Sequence, residues 1–145
     1  QVTHLAARCA LWNGDREGLA ADLAFLDQSS EYGRMVEANR ASLHGALDAL
    51  DGKDADAVRG YREARRTFAE LDLPWSLALV GIDMAHCLPL DLPDVVEARA
   101  EARQIFERLG AAAPLRLLDE VEARRASETP APERVADRAA TPERA

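Results

Sequence analysis

Apolar residues recur along this chain at the three-and-four spacing of helix faces, and clusters of Gly, Pro and Asp cut the pattern into seven segments. Asn13-Gly14-Asp15 separates a first helix, near Val2 to Trp12, from a second, near Arg16 to Asp27. Ser29 and Ser30 are expected to cap a third, with Glu31 in its first turn, running to about Leu50. Asp51-Gly52-Lys53-Asp54 is the next turn, and a fourth helix is predicted from about Ala55 to Leu71, where Asp72-Leu73-Pro74 ends it. The fifth opens near Trp75 and stops before Pro89. Residues 89–93 read as a loop, Asp94 as the cap of a sixth helix from Val95 to Leu109, and Gly110 as its stop. A seventh helix spans about Leu115 to Ala126. Seven helices on short turns leave no room for a sheet.

The stripes are regular. Val58, Tyr61, Arg65 and Phe68 fall on one face with Ala57, Ala64 and Leu71 beside them, and Val95, Ala102, Phe106 and Leu109 repeat the stripe on the sixth helix. From Ser127 to Ala145 the composition turns to Pro, Ala, Glu and Arg, with Thr129-Pro130-Ala131-Pro132 and Thr141-Pro142 breaking any register. Such a segment buries too little surface to offset its ordering entropy, so residues 1–126 are expected to form the domain and 127–145 a disordered tail.

Self-similarity organises the helices. Glu63-Ala64-Arg65-Arg66-Thr67-Phe68-Ala69-Glu70-Leu71 matches Glu101-Ala102-Arg103-Gln104-Ile105-Phe106-Glu107-Arg108-Leu109 at a spacing of 38, with Glu, Ala, Arg, Phe and Leu identical. The same offset carries Gly14 onto Gly52, Leu5 onto Leu43 and Trp12 onto Leu50. A period in the thirties predicts stacked helical hairpins, because one hairpin cannot cover its own apolar face. The expected fold is therefore all-α: a solenoid of about three hairpins, seven helices in all.

Residues 52–64 resemble the second helix of a tetratricopeptide repeat, with Gly52 in the turn, Ala57 as the small residue, Tyr61 as the aromatic and Ala64 after it. Gly45 stands for the packing glycine of the first helix, and Pro74 for the closing proline, several residues late. The run from Glu101 to Ala111 is similar to the C-terminal helical repeats of bacterial LuxR-type ATP-dependent transcription regulators and ATPase-linked nucleotide cyclases. That resemblance implies a protein–protein interaction or intramolecular regulatory module of a bacterial signalling or transcription-regulating ATPase. It also implies that first helices line a concave groove. The candidate groove residues are then Arg8, Arg40, His44, Trp75 and Asp83, facing a protein or peptide partner or another domain of the parent protein. Trp12 and Trp75 are each expected to pack into the core at a helix end.

Charge and chemistry narrow the reading. A net charge of −8 and arginines interleaved with Glu and Asp, as in Arg62-Glu63-Ala64-Arg65-Arg66, argue against nucleic-acid binding by this segment. Composition is 48% hydrophobic but only 5% aromatic, and no apolar run approaches membrane-spanning length. Cys9 and Cys87 make no disulfide framework and point to buried thiols in a reducing cytoplasm. The chain opens at Gln1 inside an apparent helix, which reads as part of something longer and predicts an exposed apolar face on the first helix, able to form a symmetric homodimer.

Neither His4 with Cys9 nor His86 with Cys87 gives metal-ligand spacing, and no cofactor motif is present. His4, His44 and His86 all lie on first helices, where unrelated polar roles explain them. The serines sit at helix starts, and pairs such as Asp54 with Asp56 or Glu120 with Glu122 read as solvated faces. No catalytic constellation emerges, so the expectation is a binding protein and not an enzyme. The alternative is a helical domain closing around a small-molecule effector.

Overall fold

The computed structural model describes residues 2–128, with side chains from His4 onward. The described residues form seven α-helices: α1 Val2–Trp12, α2 Arg16–Gln28, α3 Arg34–Leu50, α4 Asp54–Glu70, α5 Pro74–Cys87, α6 Pro93–Arg108 and α7 Ala112–Glu128. No strand occurs among them. The tail expected to be disordered falls, from residue 129 on, outside the described residues, while Ser127 and Glu128 still belong to α7.

The helix ends follow from local chemistry, with some starts revised; α7, for one, opens at Ala112 and not near Leu115. α3 does not start at Ser29 and Ser30. Ser29 is the extended residue that closes α2, and Gly33 precedes α3 without a side-chain cap. Proline moves two other starts earlier: Pro74 and Pro93 sit in the first turns of α5 and α6, where a missing N–H costs nothing. Asp94 therefore lies inside the first turn of α6, and Leu92 precedes the helix. At Gly52 (φ 76°) the chain turns in the left-handed region, and Lys53 N–H reaches back 2.8 Å to the Asp48 carbonyl. The α4–α5 turn makes the equivalent bond, Leu73 N–H to the Phe68 carbonyl at 2.9 Å, but with Asp72 in the positive-φ position.

Packing is by consecutive pairs. α1 with α2, α3 with α4 and α5 with α6 make the most extensive contacts, and α7 packs on α5 and α6. α3 also touches α1 and α5, and α1 reaches past α3 to touch α5 directly. Backbones come close where glycines allow it. A Cβ on Gly81 would stand 2.6 Å from the Ala98 carbonyl oxygen and 2.7 Å from Ala102 Cβ, so α5 and α6 meet there at a distance only glycine permits.

α5 is the centre of the molecule. Seven of its residues, Ala78 and Val80 to Ala85, are buried. One side of α5, with Val80 and Met84, joins the core built by α1 to α4, around Leu19, Leu23, Tyr61 and Phe68. Its other side, with Ala78, Ile82 and Ala85, joins a second core with Phe106, Leu118 and Val121. The two segments that match at a spacing of 38 are buried alike: Ala64 with Phe68, and Ala102 with Phe106, are all fully enclosed. Their arginines reach the following helices. Arg65 pairs with Glu101 at 2.7 Å, and Arg103 with Asp119 at 2.8 Å and Glu122 at 3.1 Å.

Candidate functional site

α1 carries one full charge among its described side chains, Arg8, and α5 likewise carries one, Asp83. The fold joins them. Arg8 Nε donates to both Asp83 oxygens at 3.0 and 2.9 Å, and its Nη2 lies 2.9 Å from Oδ2. Trp12, one turn further along α1, donates its indole N–H to Asp83 Oδ1 at 2.7 Å. Asp83 is 0% exposed, and burial pushes its carboxyl above the usual range while Arg8 and Trp12 pull it back. Two groups expected on an open groove are therefore each other's partners inside the protein. The reason is that α1 docks directly on α5, covering the strip where they would have faced a ligand.

The other expected groove residues are scattered. Arg40 ties α3 to the end of α2, donating to the Leu26 carbonyl at 2.7 Å and Ser29 Oγ at 2.9 Å. His44 Nε2 stands 2.9 Å from Asp27 Oδ2 and is half exposed. Trp75, at the start of α5, is 48% exposed and meets Phe106 edge-on at 5.5 Å. Trp75 is thus only half packed, contrary to the core placement expected for it. None of these three joins the Arg8–Asp83 pair.

The side chains that do converge are on α1, α5 and α7. Trp12 stacks on His86 with ring centroids 5.7 Å apart and planes within 14°. On the same imidazole, Arg124 Nη2 lies 3.0 Å from Nδ1. An arginine only donates, so Nδ1 accepts and the ring proton sits on Nε2. Burial first, then the charges of Arg124 and Arg125, lower the His86 pKa from 6.5 to about 4, so the ring is neutral near pH 7. Arg125 donates to the Leu88 carbonyl at 3.2 Å, covering a backbone group beside the end of α5. Around this stack lies an open cleft of 390 Å³ lined by Trp12, Asn13, His86, Leu117, Glu120, Val121 and Arg124. Its size is that of small binding pockets, and its lining mixes an aromatic floor with a polar rim.

A second cleft, of 410 Å³, lies between the α4–α5 turn and α6, and includes Leu73, Leu77, Gln104, Ile105 and Leu109. Of its two acidic members, Asp72 and Glu101, the latter is already paired with Arg65. Arg124 has no carboxylate within ion-pair distance among the described residues, and it is held against an aromatic stack. We therefore take the α1–α5–α7 cleft as the candidate site. Trp12 and His86 were legible as residues but not as a pair, Asn13 read only as a turn residue and Glu120 as a solvated face, and Leu117 and Arg124 gave no signal of their own.

No group of three or more His, Cys, Asp or Glu among the described residues could hold a metal ion. Cys87 lies between the Tyr61 hydroxyl at 3.3 Å and the Asp83 carbonyl at 3.2 Å, and burial drives its thiol up to about 12, far from a thiolate at neutral pH. Cys9 is exposed, contrary to the buried thiol expected there, and shares its face of α1 with exposed Leu5 and Ala6. No helix of the described residues is long and apolar enough to cross a membrane. No family model, curated protein or solved structure matches this chain.

Proposed function

We propose that this chain is a protein- or peptide-binding module built as a short solenoid of tetratricopeptide-like hairpins, engaging its partner through the cleft between α1, α5 and α7. The observation that carries this reading is the Trp12–His86–Arg124 assembly, where an apolar floor and an arginine meet in a cleft open to solvent. Aromatic and arginine side chains are the ones that dominate partner binding when they cluster in this way. The equal burial of Ala64 with Ala102 and of Phe68 with Phe106 supports in-phase hairpins. The similarity of the Glu101–Ala111 run to regulator repeats supports a place in a bacterial signalling ATPase, with the partner in another protein or in another domain of the same one.

The test is retention of a partner by the immobilised chain, compared with Leu117→Glu. Leu117 lines the cleft and is partly exposed, so its replacement leaves both cores intact. The wild type is expected to hold a polypeptide that Leu117→Glu releases. Equal retention by both proteins sinks the cleft as the binding surface. A small molecule carried through native mass spectrometry by the wild type alone would replace this reading with effector sensing.

A further inference from the structure

Within an acidic protein, the cleft presents Arg124 to solvent beside a single carboxylate, Glu120. The whole chain carries −8, yet the charged groups acting on His86 are Arg124 and Arg125, both cationic. Glu120 lines the same cleft one turn before Arg124 but makes no ion pair with it. Arg125 is engaged with the Leu88 carbonyl and lies 3.9 Å from Glu128. Arg124 spends one N–H on the neutral imidazole, and a guanidinium carries five. That contact holds its position without neutralising it, leaving a fork that matches a carboxylate. Beside the fork, Leu117, Val121 and the Trp12 ring give an apolar surface.

From this arrangement we infer that the cleft selects an acidic peptide segment, in which an Asp or Glu side chain meets Arg124 while a neighbouring apolar side chain lies against Trp12, Leu117 and Val121. The inference rests on the proposed binding role and adds the chemistry of the partner. Complementary charge sets choice of partner more than raw affinity, so acidic and neutral versions of one peptide should separate clearly.

The experiment is selection on the full chain from a library of twelve-residue random peptides displayed inside a carrier protein, so that no free C-terminal carboxylate is offered. Enriched peptides are expected to pair an acidic residue with an adjacent large apolar one. Their affinity should fall about tenfold with Arg124→Gln, the loss expected of a partly exposed charged hydrogen bond. Replacing the peptide's Asp or Glu by its amide should cost the same, and combining both changes should cost no more than either. Arg116→Gln, on the exposed face of α7 and outside the cleft, should change nothing. Peptides that bind Arg124→Gln as tightly as wild type, yet are released by Leu117→Glu, overturn the acidic preference and leave the binding role standing. Failure to enrich any peptide sensitive to Leu117→Glu overturns both. Tighter binding of a synthetic phosphorylated or free C-terminal version of an enriched peptide than of its internal acidic form also overturns the inference.

Discussion

Replacing Asp83 by alanine strands a cation. Arg8 is nearly buried and loses its Asp83 acceptors at once. Trp12 loses its acceptor as well. Breaking one side of a buried ion pair costs about 3–5 kcal/mol, a large part of the roughly 5–15 kcal/mol that holds a domain together. Arg8→Met is a different perturbation, because the stranded group is then a carboxyl that can take up a proton. Asp83 already sits above its ordinary pKa, and removing Arg8 moves it higher. The folded state then holds a proton that the unfolded chain has released. Stability of Arg8→Met should therefore fall with rising pH, by up to about 1.4 kcal/mol per unit, until the pH passes the folded pKa. Urea unfolding followed by circular dichroism, at several pH values between about 5 and 8, separates the two. Asp83→Ala is expected to lose its several kcal/mol at every pH. The double change Arg8→Met with Asp83→Leu should recover most of that, since a hydrophobic pair avoids both desolvation costs. If Asp83→Ala costs less than about 1 kcal/mol, or Arg8→Met is no more pH-dependent than wild type, the buried pairing is refuted.

His86 gives a second pH signature. Its folded pKa of about 4 lies below its ordinary 6.5, so the folded state resists protonation and stability should drop as pH falls from 6.5 to about 4, then level off. With the ring partly exposed, the drop is about 1–2 kcal/mol rather than the full shift, and His86→Gln should abolish it in a pH series of thermal melts. Alkylation followed by mass spectrometry should label Cys9 readily in the native protein and Cys87 only after unfolding, and equal labelling would contradict the packing of Cys87 against Tyr61. Gly81→Ala should cost about 1–3 kcal/mol, because its methyl would overlap Ala98 and Ala102; an unchanged unfolding midpoint would show that α5 and α6 can separate. The uncharged exposed strip of Leu5, Ala6 and Cys9, with Phe25 65% exposed on α2, should pair with the same strip of a second copy. A thiol crosslinker should then join two Cys9 residues, while a monomer at high concentration by light scattering would sink that idea.

The helices were written in the apolar periodicity and in the Gly and Pro punctuation, and Gly14, Gly52 and Gly110 all take the positive φ that a helix stop calls for. Capping was less legible. Ser29 and Ser30 carry the right side chains for a helix start, but Arg40 reaches over from α3 and fixes Ser29 at the end of α2. Asp72 adopts a glycine-like φ of 52° that nothing in its type announces. The burial of Arg8 and Asp83, two of the five residues expected on a groove, has a readable reason. α1 and α5 have apolar residues all round and a single opposite charge each, the pattern of helices buried against one another and not of helices lining a wet surface. Arg124 could not be picked out of an arginine-rich chain, because its neighbour His86 lies 38 positions away.

The reach of α1 past α3 onto α5 bears on how the molecule comes apart. A string of units held only by adjacent contacts can fray from its end, one unit at a time. Here the leading unit is latched to the middle of the chain through Arg8, Trp12 and Asp83. Peeling it away uncovers both apolar cores, so melting should proceed as one all-or-none event, and slow amide exchange in α1 should match that of α5.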